Sequence, residues 1–151
     1  MERTSGSALT FTHGEAFGSQ VTVEGLGLTL GHGMSRFDPR PNRANSVGPG
    51  KRPLHNMCPV VVTKGGAPVL ALGATGGRRI PNTVFDVLAY HLGEGRAAAD
   101  AVKAPRVHTE GDLALALEAT WPAVTVEHFK KVGYEVRTGP GASLNLIARD
   151  P

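Results

Sequence analysis

The sequence predicts an α+β fold. Period-two strand patterns open the chain, an apolar β-hairpin sits in its middle, and two helical patterns follow before strands resume. Its 151 residues suit one ordinary domain. Sixteen Lys and Arg against 13 Asp and Glu leave a mild, scattered charge of +3. No polybasic tail or aromatic-interleaved basic stripe supports nucleic-acid binding. No apolar run approaches the ~20 residues of a membrane span, and Met1–Ser5 lacks the apolar block of a signal peptide. Cys58 is the lone cysteine, which excludes an internal disulfide. Twenty glycines and 11 prolines against 5% aromatics mark a turn-rich chain whose backbone approaches something closely in several places.

Ala8–Thr12 and Gln20–Val23 read as short strands. Leu26, Leu28 and Leu30 alternate with Gly27 and Thr29, which predicts a third strand whose glycine face takes another backbone. From Gly31 to Pro53 the apolar signal collapses into a proline-pinned loop, of a length that is functional or disordered. Within it, Arg36 and Asp38 read as a solvated pair, and Lys51-Arg52-Pro53 either as a basic anchor or as a solvated turn. Pro59–Thr63 and Pro68–Leu72 form the hairpin, with Gly65-Gly66 supplying the positive φ angles of its turn. Both arms are nearly continuously apolar, which predicts cover on both faces.

A helix starts near Arg79, with Pro81 in its first turn, and ends at Gly93. Ile80, Val84, Val87, Leu88 and His91 mark its buried face. A second, shorter helix spans Ala97–Lys103 and stops before Pro105. Leu113–Leu117 alternates as a strand, Val124–Val132 reads as a helix closed by Gly133, and Tyr134–Val136 and Ser143–Ala148 read as strands. Most chemistry concentrates at Leu72–Arg79. Two consecutive glycines at a helix start expose backbone N–H groups at the positive end of a helix dipole, where a phosphate, carboxylate or developing oxyanion is held. The same pair also reads simply as a tight turn. Neither the G-x-G-x-x-G nor the Walker pattern is present, and His13, His32, His55, His91 and His108 show no metal-ligand spacing. No cofactor is indicated.

Several segments, in order, resemble the γ-glutamyltranspeptidase family. Gly48–Pro59 is similar to its P-x-K-R-P-L-S-S-M-S-P segment, Leu72–Ile80 to G-S-P-G-G-S-R-I, and Ala104–His108 to A-P-R-x-H. Phe17-Gly18-Ser19 and Gly25–Phe37 follow its F-G-S and G-I-L-L-N-N-E-M-D-D-F. The resemblance implies an N-terminal-nucleophile hydrolase fold, an αββα sandwich of two sheets between helical layers, of which residues 1–151 are one partial, small-subunit domain. It implies an autoprocessing precursor whose new N-terminal Thr attacks an amide carbonyl, with its own α-amino group as base. An acyl-enzyme forms and passes to water or an acceptor amine, as in glutathione metabolism. Gly76 and Gly77 match the oxyanion-hole glycines, and Thr12 matches a threonine that supports the nucleophile.

The family's T-T-H nucleophile motif falls upstream of Met1, and its closing G-x-S-D-P-R segment falls beyond Pro151. The chain is therefore expected to be a small subunit trimmed at both ends, with the large subunit or upstream region of the same precursor as partner. Family members are usually periplasmic or extracellular. The acidic clamp for the glutamyl α-amino group reads here as Gly33, Ser35 and Arg36, and the paired serines that grip the α-carboxylate read as His55 and Asn56. A cation in place of carboxylates reverses the local field. The implied enzyme cleaves small-molecule or peptide amides with altered acyl specificity, as in similar cephalosporin- and glutaryl-type acylases. The alternative reading is an inactive homologue, fragment or binding module.

Overall fold

The computed structural model describes residues 5–149. They divide into two compact units, residues 11–55 and residues 5–10 together with 56–149. In the first unit, strands β1 (Thr22–Val23) and β2 (Leu28–Thr29) pair antiparallel, with Thr22 opposite Thr29. The expected Leu26–Leu30 strand is thus reduced to two residues. Gly25 and Gly27 are required for positive φ (77° and 61°), and nothing lies within 4 Å of where a side chain would sit on either. The turn, not a neighbouring backbone, explains these glycines, and Leu26, Leu28 and Leu30 are all exposed.

The second unit is built on the hairpin. β3 (Val60–Lys64) and β4 (Ala67–Thr75) pair antiparallel around Gly65-Gly66, whose φ values of 58° and 81° make the expected turn. β4 lies between β3 and the later strand β8 (Ser143–Ala148), with Leu72 opposite both Val60 and Leu146. Leu70, Leu72 and Ala74 are each 3% exposed, whereas the intervening Ala71 and Gly73 are half-buried. One face carries the core and the other is only partly covered, less than the expected cover on both faces. Residues 5–12 form no strand, contrary to the period-two pattern of Ala8–Thr12. Gly6 and Thr10 lie against the second face of the sheet instead of pairing at its edge. A Cβ on Gly6 would meet Pro68 Cβ at 2.8 Å, and one on Gly73 would meet Thr10 Oγ1 at 3.0 Å.

Helix α1 (Ile80–Leu88) lays Ile80, Thr83, Val84 and Val87 on the core face of β4, and a π-helical turn, Ala89–Gly93, extends it to the predicted stop. Thr83, 2% exposed, completes the i, i+3, i+4, i+7 stripe. α2 (Ala98–Lys103) adds Ala101 to the same core. A second sheet follows, of β5 (Val107–His108), β6 (Ala114–Leu117) and β7 (Glu135–Thr138), with helix α3 (Ala123–Val132) between β6 and β7 in the chain. β6 pairs antiparallel with β5 and parallel with β7. Gly133 closes α3 in the left-handed conformation (φ 109°), and Phe129 stacks edge-on against Trp121 and Tyr134.

Asp86 ties α1 to the second sheet, because its Oδ2 accepts the Val107 N–H at 2.8 Å. Burial pushes its carboxyl pKa above the ordinary 3.8 and Glu118 adds to this, while the Val107 N–H and Arg106 oppose it. The folded state therefore holds this proton more tightly than the unfolded chain. Parent stability falls as pH rises from the unfolded value through the raised folded one. Asp86→Asn keeps an acceptor for Val107 but has no charge to bury. The variant's melting temperature, relative to the parent, should rise between about pH 3 and about pH 6; a constant difference contradicts this account.

Candidate acyl-transfer site

The strand-to-helix junction places Gly76 and Gly77 after the last residue of β4, and a 3-10 turn, Gly77–Arg79, leads into α1. Gly76 has φ 156° and ψ 24°. A Cβ there would stand 2.5 Å from Ala142 Cβ and 2.8 Å from Ala142 Cα, so no side chain fits. Gly77 (φ 62°) is different: nothing lies within 4 Å of its side-chain position, and the residue is exposed. One glycine is packed from behind and the next faces open space. N–H groups at a helix start have no partner inside the helix, so this turn offers donors to a ligand oxygen.

Asn56 joins this turn directly, with its Nδ2 donating to the Gly77 carbonyl at 2.7 Å. A sequence-predicted binding residue thus meets a sequence-predicted oxyanion residue 21 positions away, and one of the two amide N–H bonds of Asn56 is committed to holding the turn. Beside it, Arg78 pairs with Glu110 at 2.7 Å, and Glu110 lies 3.5 Å from His108. The Arg78 guanidinium holds the Glu110 carboxyl below its usual range. Glu110 and His108 line an open polar cavity of about 120 Å³ with Asp112 and Arg137. No sequence signal linked Arg78 to Glu110, since the two are 32 residues apart with no shared periodicity.

Thr12, Ser35, Arg36 and His55 belong to the other unit. Thr12 Oγ1 accepts the Gly14 N–H at 2.9 Å, and the His13 carbonyl accepts His32 N–H at 2.8 Å. These bonds bring the Thr12 turn against the start of the 3-10 turn Gly33–Arg36. Ser35 Oγ donates to the His32 carbonyl at 2.7 Å. Within the same unit, Gly18 cannot carry a side chain, because a Cβ would run into the Leu30 carbonyl that accepts from both Ser19 N and Ser19 Oγ.

The proline-pinned loop is organised by two residues that sequence reasoning missed. Asn45 Nδ2 donates to the Arg36 carbonyl at 2.6 Å, and its Oδ1 accepts Leu54 N–H at 3.1 Å. Ser46, 6% exposed, donates to the Arg40 carbonyl and accepts Arg43 N–H. Turn-forming Asn and Ser in a proline-rich stretch were the available signal. The expected Arg36–Asp38 pair is corrected. Asp38 is held instead by the Arg40 guanidinium at 2.8 Å, which draws its carboxyl below the usual range, and the Arg40 backbone N–H adds to the contact. Arg36 makes no ion pair among the described residues. Lys51 reaches the Ala44 carbonyl at 3.4 Å, in keeping with a loose anchor. The described residues contain no cluster fit to hold a metal and no helix long and apolar enough to cross a membrane.

The mixed sheets and helices are those of part of an N-terminal-nucleophile hydrolase fold, the fold of the solved structures that this chain resembles. The Gamma-glutamyltranspeptidase family profile matches residues 4–151, and the chain belongs to that family. It is 32% identical over 131 residues to the glutathione hydrolase proenzyme of Bacillus subtilis (strain 168), covering 87% of this chain and 22% of that protein. It is 34% identical over 137 residues to the acylase ACY 1 proenzyme of Pseudomonas sp. (strain SE83), covering 89% of this chain and 24% of that protein. The chain thus spans about a quarter or less of the length of these curated relatives. Among solved structures, an acivicin-inhibited gamma-glutamyltranspeptidase superposes with a TM-score of 0.85 at 30% identity, covering 95% of this chain and 83% of that one.

The two glycines are expected to respond unequally to substitution. Gly76→Ala drives a methyl into Ala142, and its cost should exceed about 2 kcal/mol, in the range of overpacked sites. Gly77→Ala has space and pays only for the left-handed backbone, about 1–2 kcal/mol. Urea unfolding of the two variants checks this; equal losses contradict the packing described.

Proposed function

We propose that this chain is the small-subunit portion of an autoprocessing amide hydrolase or acyltransferase whose acyl preference is shifted from the zwitterionic γ-glutamyl group toward an anionic or neutral one. The observation that carries the chemistry is the Gly76-Gly77 turn, closed behind and open in front. An N-terminal Thr from the preceding part of the precursor attacks the amide carbonyl and passes its proton, through its own α-amino group, to the leaving amine. The carbonyl oxygen gains negative charge as the C–O bond forms, and the Gly76 and Gly77 N–H groups receive it. The C–N bond then breaks, leaving an ester that water or an acceptor amine resolves. Thr12 supports the nucleophile in this reading, and the large subunit is the partner that completes the site.

The altered specificity is supported by residue chemistry. Gly33, Ser35 and Arg36 stand where the family carries its carboxylates, so an α-ammonium meets a cation rather than an anion. Arg36 without an ion-pair partner is suited to a carboxylate, and His55 and Asn56 are suited to hydrogen-bond a polar acyl group. The near-equal identities to a glutathione hydrolase and to an acylase fit either acyl class, and these residues favour the second.

Parallel assays of the complete protein on γ-glutamyl and glutaryl anilides test the reading. Higher kcat/KM on the glutaryl donor is expected, and Arg36→Gln should lower the glutaryl-to-γ-glutamyl ratio about tenfold, equivalent to about 1.4 kcal/mol. A parent preference for γ-glutamyl sinks the altered specificity; no acylation by any donor sinks the enzymatic reading.

A further inference from the structure

Behind the glycine turn lies an ion pair that no part of the proposed chemistry uses. Arg106 and Glu118 meet at 2.8 Å with side chains 16% and 18% exposed. The contact is forked: Arg106 Nε and its backbone N–H both reach Glu118 Oε2, at 3.2 and 3.0 Å. Arg106 Nη1 turns the other way and donates to the Ala142 carbonyl at 2.9 Å. The Ala142 N–H points at Thr83 Oγ1, at 3.4 Å, on α1. Both polar groups of Ala142 are therefore tied down, and Ala142 is the residue whose Cα and Cβ close the back of Gly76. The loop preceding it is shaped to the pair, since any side chain at Gly141 would overlap the Glu118 carboxylate.

Burying two charges is costly, and a hydrophobic pair of similar size commonly serves stability as well or better. A partly buried, forked pair with a third bond to the backbone behind the candidate oxyanion turn fits a positional role. We infer that Arg106 and Glu118 are positioning residues: through the Ala142 carbonyl they fix the orientation of the Gly76-Gly77 turn, and hence the aim of the two glycine N–H groups at the acyl oxygen. Neither touches the acyl group. The catalytic part of this inference rests on the amidase reading above; the mechanical part does not. Removing one oxyanion donor costs about 10²–10³ in kcat, and Arg106→Lys, which keeps charge but loses the fork, should forfeit part of that by misaligning the donors.

The test uses the complete protein, labelled with ¹⁵N-glycine, as parent, Arg106→Lys, Glu118→Gln and the milder Ala142→Gly. Trp121, the sole tryptophan of these 151 residues, donates its indole N–H to the Arg106 carbonyl at 3.0 Å, so its assigned indole ¹⁵N–¹H resonance in a ¹⁵N-tryptophan sample reports whether the local fold survives in each variant. Order parameters of Gly76 and Gly77 should fall from the rigid range of about 0.85 toward about 0.6, while Gly65 and Gly66 keep parent values. On an amide donor, kcat should fall about tenfold with KM within about twofold, because the interaction lost is made in the transition state. Unchanged order at Gly76 and Gly77, or loosening shared by Gly65 and Gly66, overturns the inference. Loosening confined to the turn without a change in kcat overturns its catalytic part. Loosening in a parent that turns over no amide leaves the buttress standing and removes the amidase reading instead.

Discussion

The contact between Gly76 and Ala142 decides where β4 stops and α1 begins, and the candidate site is built outward from it. It follows from strand register. Antiparallel pairing sets Thr75 opposite Ser143, so the next step along each chain brings Gly76 to Ala142. With the pleated ladder finished, only a residue without Cβ lets the backbone turn that closely under Ala142 and enter a helix. The following glycine is then left facing outward with its N–H at the helix start. A tight pairing behind and an open approach in front come from one register, and no added element is needed to expose the donors.

Charge gives the second layer of the account. The turn itself is an electropositive surface made of backbone, and its neighbours balance it: Arg78 leans to Glu110, while Arg106 is neutralised by Glu118. In the other unit, Asp38 is satisfied locally by Arg40, leaving Arg36 without an ionic partner among the described residues. Asn45 and Ser46 hold the surrounding loop through side chain to backbone bonds, an economical way to rigidify a segment with no apolar face. In the proposed reading, a chain related about equally to a glutathione hydrolase and to an acylase keeps a backbone turn for the acyl oxygen and varies the side chains around it.

Legibility in the sequence followed the range of the interactions. The hairpin, its Gly65-Gly66 turn, the helix from Arg79 to Gly93 and the closing strand were readable because each is specified by neighbours in sequence. The glycine pair was readable as an anion-holding turn or a plain one, and family motifs turned that toward function. Thr83 was passed over because a buried threonine breaks an apolar pattern without breaking its period. Ala8–Thr12 alternated like a strand, but pattern does not reveal whether a segment pairs at a sheet edge or, as Thr10 does at Gly73, packs on its face. Arg106–Glu118 and Arg78–Glu110 join residues 12 and 32 positions apart, and pairings at that separation exist only once the chain has folded. Asp38 chose Arg40 over Arg36 through backbone geometry that composition does not carry.

The central claim is that the Gly76-Gly77 turn receives the oxygen of the acyl group. A crystal structure of the mature protein carrying an acyl adduct trapped with an electrophilic donor tests it most directly. The account predicts the adduct's carbonyl oxygen within about 2.7–3.1 Å of the Gly76 and Gly77 N–H nitrogens, with Ala142 unmoved behind them. An adduct whose oxygen is held by other donors, with the glycine turn facing solvent, contradicts it.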